Sequence, residues 1–182
     1  MSLTLRNATP FIAQFIVHKG GLVLARVPGI ETDAQIQIPT DDTSYQVVAE
    51  TVLNGNTYSS APLTVTGDTA FLAQVLEVSS QGTYEFQVVT SASTVLNALT
   101  FQKTCMGNVV FTISRNGMLQ QQVVVTDSFE QKVLSTTDVF SVYAIINGIT
   151  TPTSETTNPN AVITAMQEAS GTNVGFFELA IS

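Results

Sequence analysis

One rhythm runs through this chain twice, and it constrains the fold more than any single motif does. Phe15-Ile-Val-His-Lys19-Gly20-Gly21-Leu22 lies over Phe111-Thr-Ile-Ser-Arg115-Asn116-Gly117-Met118 at an offset of 96, with Phe on Phe, Lys on Arg and Gly on Gly. Leu3-Thr4-Leu5 meets Leu99-Thr100-Phe101 at the same offset, and Val27 meets Val123. Tyr45-Gln-Val47-Val-Ala49 then matches Phe140-Ser-Val142-Tyr-Ala144, and Leu53-Asn54-Gly55 matches Ile146-Asn147-Gly148. Further on, Ala70 to Glu77 corresponds to Ala161 to Glu168, and Glu85 to Val88 corresponds to Glu178 to Ile181. A period of this kind marks a structural unit used more than once. The expected division is 1–93 and 94–182, at Thr90-Ser91-Ala92-Ser93.

Within each copy the apolar residues alternate with polar ones, as on half-buried strands. Gln35-Ile36-Gln37-Ile38, Leu63-Thr64-Val65-Thr66, Tyr84-Glu85-Phe86-Gln87-Val88 and Val139-Phe140-Ser141-Val142 carry the pattern. Their Val, Ile, Thr, Phe and Tyr content suits a pleated surface. Asn54-Gly55, Asn116-Gly117 and Asn147-Gly148 predict two-residue hairpin turns, which need positive φ at both central positions, and Gly20-Gly21 stands at the site equivalent to Asn116-Gly117. Strand cores recur every eight to twelve residues or so, as in sandwiches and barrels. The expected fold is all-β: two tandem antiparallel β-sandwich units, Ig-like or jelly-roll-like, with seven or eight strands each. Residues 161–168 are also open to a helix, since Asn158-Pro159-Asn160 forms a plausible cap, whereas 70–78 reads as strand.

Charge narrows the function. Only 11% of the 182 residues are charged against 44% hydrophobic, and the net charge is −8. The six basic residues, Arg6, Lys19, Arg26, Lys103, Arg115 and Lys132, form no run, which argues against a nucleic-acid partner. Cys105 is the one cysteine and reads as a small buried hydrophobe. No basic segment with a following apolar run opens the sequence, and no apolar run reaches membrane-spanning length. The expected location is cytoplasmic, virion-associated or leaderless secreted.

Catalytic chemistry finds few residues to work with. His18, the single histidine, alternates along a strand and reads as a solvent-facing side chain; the second copy has Ser114 in its place. Asp41-Asp42, with Asp33 or Glu31, is the densest acidic cluster, and flanking Thr40 and Thr43 make it a turn. No phosphate-binding glycine loop and no metal-ligand set is present. The expectation is therefore no enzyme, no cofactor and no metal. Low charge at a contact surface suits a structural or self-assembling protein that pairs with itself, at least as a dimer. The alternative is a soluble binding module, lectin-like or membrane-active and toxin-like, whose loops at one end of the sandwich hold a glycan or lipid head group. Its candidate loop residues are Asn54, Asn56 and Tyr58 in the first copy and Asn147, Thr150 and Thr151 in the second, the latter opening the Thr-rich segment 149–160.

Overall fold

The computed structural model describes residues 1–41, 44–65, 67–168 and 175–182. Its regular elements are all strands. The first part of the chain forms β1 (Ser2–Asn7), β2 (Ala13–Lys19), β3 (Leu22–Ile30), β4 (Gln35–Pro39), β5 (Tyr45–Leu53), β6 (Asn56–Ser59), β7 (Leu63–Val65), β8 (Thr69–Val78) and β9 (Thr83–Ala92). The second part forms β10 (Ala98–Lys103), β11 (Val109–Arg115), β12 (Met118–Val125), β13 (Lys132–Ser135), β14 (Phe140–Ile146), β15 (Ile149–Thr150), β16 (Ser154–Thr156), β17 (Val162–Gln167) and β18 (Phe177–Ile181). The segment open to a helix is strand β17; residues 169 and 170 lie outside the described part.

The compact units do not divide at residue 93. One unit comprises residues 1–42 and 138–182, and the other residues 43–137. The reason is strand pairing: β2 pairs with β14 and β5 with β11, both antiparallel, while β1 pairs with β17 and β8 with β10, both parallel, which corrects the expectation of wholly antiparallel units. Each of these central ladders joins a strand before residue 93 to one after it, so a cut there runs through both units.

The discontinuous unit holds a four-stranded sheet, β18-β17-β1-β4, and a second sheet, β15-β14-β2-β3, with β16 also on β14. The contiguous unit holds β9-β8-β10-β13 and β6-β5-β11-β12, with β7 also on β5. Read in these orders, each strand of one unit stands where the strand nine places away stands in the other. Registers agree as well. Phe15 faces Ala144 as Phe111 faces Ala49. A register shift falls at Val17/His18 in one β2-type hairpin and at Ile113/Ser114 in the other. The Thr151 hydroxyl accepts the Ala144 N–H at 3.0 Å, and the Ser60 hydroxyl accepts the Ala49 N–H at 3.0 Å. Ala70 lies opposite Thr100 and Val162 opposite Thr4, so Ala70 takes the place of Val162 and not of Ala161, the residue that the sequence offset pairs with it. A slip of one residue turns a strand over, and this register is the one that buries both Phe71 and Ile163.

The alternating patterns become burial. In the discontinuous unit Leu3, Leu5, Ile38, Ile163 and Ala165 of the first sheet form a single apolar cluster with Phe15, Val17, Val27, Val142 and Ile146 of the second. In the contiguous unit Phe111 of one sheet packs on Phe101 and Phe71 of the other, with ring centroids 5.0 and 6.3 Å apart. Phe15 and Phe111 are both fully buried. Asn54-Gly55, Asn116-Gly117 and Asn147-Gly148 have positive φ at both residues, as type I′ turns require, but of Gly20-Gly21 only Gly20 does. The two equivalent sites thus carry different turns.

Candidate interaction surface

Three connections meet at one end of the contiguous unit: the β5–β6 turn, the loop from Thr104 to Asn108 and the loop from Thr126 to Gln131. Their anchor is Lys103, the last residue of β10, only 2% exposed. Its ammonium donates to the Cys105 carbonyl at 2.9 Å and to the Ser128 hydroxyl at 3.5 Å, and that hydroxyl in turn reaches the Cys105 carbonyl. A buried cation requires such partners, and here they tie two loops together. Gly107 lies against β5, where an added Cβ would come within 2.7 Å of Thr51 Oγ1 and 2.9 Å of the Val52 carbonyl oxygen. Thr51 Oγ1 donates to the Asn108 carbonyl at 2.9 Å. The second loop is folded by Asp127, whose carboxylate accepts the Phe129 N–H at 2.9 Å and whose carbonyl accepts the Glu130 N–H at 3.2 Å. Glu130 also pairs with Lys132, which holds its carboxyl below the usual range.

What these braced loops hold out is apolar. Met106 is 97% exposed and Phe129 98% exposed, side chains that gain nothing from the fold that presents them. Neither residue stands out in the repeat comparison. A signal was nevertheless present: Phe129 interrupts the polar run Thr126-Asp127-Ser128 and Glu130-Gln131, where an aromatic has no strand to join.

The loop residues expected from sequence divide between the units, Asn54, Asn56 and Tyr58 in one and Asn147, Thr150 and Thr151 in the other. Asn54 and Asn147 hold the positive-φ turn positions, and they are exposed together with Asn56 and Thr150. Tyr58 is half-buried opposite Thr51. Thr151 corrects the expectation: it is buried, its hydroxyl already accepts the Ala144 N–H, and it has no free face for a ligand.

Other sites read from sequence take structural roles. His18 is half-exposed on the face of β2 opposite the buried Phe15 and Val17, as its alternation predicts, and stacks on Tyr143 with ring centroids 6.3 Å apart. Cys105 is buried and Asp41 accepts the Met1 ammonium at 2.7 Å; Asp42 lies outside the described residues. A depression of about 370 Å³ in the discontinuous unit is lined by Met1, Lys19, Thr40, Asp41, Asp138 and Phe140, and its charged groups pair with one another, Lys19 with Asp138 at 2.9 Å and the Met1 ammonium with Asp41. Among the described residues no three His, Cys, Asp or Glu side chains converge as metal ligands, and no helix is long and apolar enough to cross a membrane.

Burial, with the Arg26 guanidinium as the lesser cause, holds the His18 imidazole below its ordinary 6.5. The folded state therefore binds this proton less readily than the unfolded chain does. Stability is full above 6.5 and falls as pH drops through 6.5 toward the folded value. Partial exposure keeps the loss small. Thermal melts of His18→Gln and the parent between about pH 7.5 and 5.5 should show the parent losing more stability on acidification; parallel profiles would remove His18 from the pH dependence.

Comparison of the chain with protein-family models, with curated proteins and with solved structures gives no match.

Proposed function

We propose that this chain is a non-enzymatic, self-assembling structural or interaction protein built from two copies of one β-sandwich unit. The observation that carries the reading is the pair of apolar tips, Met106 and Phe129, fully exposed on loops that a buried Lys103 and the Gly107 contact hold in place. Loops fixed on a β scaffold commonly carry binding function, and exposed apolar tips usually meet a partner. The common strand order of the two units supports the repeated unit, and the apolar cluster between the sheets of the discontinuous unit and the packing of Phe111 on Phe71 and Phe101 in the contiguous one support the sandwich. Low charge keeps the cost of desolvating such a surface small.

Sedimentation across concentration tests the proposal. The parent should form dimers or larger species, and association should strengthen with salt, because a net charge of −8 repels across solvent and screening at physiological salt shortens that repulsion to about 8 Å. Met106→Ser/Phe129→Ser, altering two side chains outside the core, should weaken association by about ten-fold or more while melting like the parent. A parent that stays monomeric at high concentration and high salt would overturn self-assembly. If that monomer bound neutral phosphatidylcholine vesicles through the same two residues, the tips would belong to a lipid-binding surface instead.

A further inference from the structure

The β8–β9 ribbon outgrows its sheet. β8 pairs with β10 only from Ala70 to Ala73, whereas its ladder with β9 runs without a register shift from Thr69/Ala92 to Val78/Thr83. Among the described residues the half made of Gln74–Val78 and Thr83–Gln87 has no third strand beside it. The strands in the same places of the other unit, β17 and β18, are 6 and 5 residues long. A two-stranded ribbon is marginal in water, and this one carries Tyr84 at 51% and Leu76 at 42% exposure.

β9 is also the least defended edge. Edge strands invite pairing, and proteins blunt them with Lys, Pro, bulges or shortness. β3 has Arg26, Pro28 and two register shifts; β12 has a register shift; β13 is short and begins with Lys132; β4 ends in Pro39; β6, β15 and β18 are short. β9 is 10 residues long, has no Pro, Lys or Arg, and carries one charge, Glu85.

We propose that β9 is the edge through which two copies of this chain pair, antiparallel, across a two-fold axis perpendicular to the sheet. Such an axis keeps each face on its own side, so residues opposite one another must point the same way. The two registers of greatest overlap place Val88 or Gln87 opposite itself. Glu85 then faces Ser91 or Val89 of the second copy, and no like charges oppose each other although the chain as a whole is acidic. The unsupported half of each ribbon also comes to lie against the supported half of its mate. A second copy answers both needs at once, joining two four-stranded sheets into one continuous sheet.

This inference rests on the self-assembly reading and is tested separately from it. Gln87→Glu/Val89→Glu alters two exposed side chains and surrounds Glu85 with like charge in either register; Gln35→Glu/Gln37→Glu on β4 adds the same charge elsewhere. The β9 variant should raise the dissociation constant by about ten-fold or more, and the β4 variant should change it by no more than about two-fold. Hydrogen exchange in residues 83–92 of the parent should slow as concentration rises. A parent that assembles while the β9 variant matches it and residues 83–92 exchange at a constant rate would overturn the edge assignment and leave self-assembly standing. A parent that never assembles would overturn the functional reading itself.

Discussion

Residues 43–137 expressed alone should fold into a cooperative, all-β domain, whereas fragments 1–93 and 94–182 should each fail to do so. Every ladder made by β5 through β13 lies within 43–137, including the parallel pair β8–β10 and the antiparallel pair β5–β11. Its connection from β9 to β10 is also fixed internally: the Asp68 carboxylate accepts the N–H groups of Asn97 and Ala98 at 2.9 and 3.0 Å and the Thr136 hydroxyl at 3.3 Å. The fragment thus keeps a complete core, the usual condition for independent folding. Cutting at 93 separates the partners in four central ladders, β1–β17, β2–β14, β5–β11 and β8–β10, and exposes the backbone groups they satisfy. Circular dichroism and denaturant melts of the three fragments decide the matter. A stable folded monomer from 1–93 would show that a strand in the first half can replace the distant partner, and the compact units would then be misassigned.

Phe111→Ala should cost about 3–5 kcal/mol, the range for truncating a buried aromatic and leaving its cavity. Phe111 is fully buried and packs on Phe101 and Phe71, which themselves stack at 5.2 Å. The lost ring removes transfer energy and two aromatic contacts worth about 0.5–1.5 kcal/mol each. Domains have stabilities of about 5–15 kcal/mol, so this change should bring the 43–137 fragment close to unfolding at room temperature. Phe15→Ala should be similar in sign, but Phe15 belongs to a cluster in which Leu5 and Ile163 hold the places of Phe101 and Phe71. Smaller neighbours collapse into a cavity differently, and parallel denaturant titrations of both variants in the full chain would measure the difference. No shift in the midpoint for Phe111→Ala would mean that the ring is not part of the core.

The candidate surface was only partly legible. Asn54-Gly55 and Asn147-Gly148 announce their turns because few residues tolerate two successive positive φ angles. Nothing local, however, tells an exposed loop threonine from Thr151, whose burial depends on the hydrogen bond Ala144 makes to it across the strand pair. Met106 and Phe129 present the converse case. Apolar side chains are expected inside, and theirs are held outside by two kinds of contact: short-range ones, Asp127 to Phe129 and Lys103 to Cys105, and ones between segments far apart in sequence, Lys103 to Ser128 and Gly107 against Thr51 and Val52.

The sequence by itself determined the strands outside 161–168, the inward faces of the alternating ones and the matched rhythm of Phe15 and Phe111, because alternation and turn chemistry act over a few neighbouring residues; the one-residue placement of β8 against β17 came from the ladders. Partner choice was left to the tertiary structure. β5 and β14 carry similar patterns, as do β2 and β11, so local pattern makes either cross-pairing acceptable. The ladders form between Phe111 and Ala49 and between Phe15 and Ala144, each spanning residue 93. Burial periodicity sets which face of a strand turns inward; which strand lies beside it is set by the path of the whole chain.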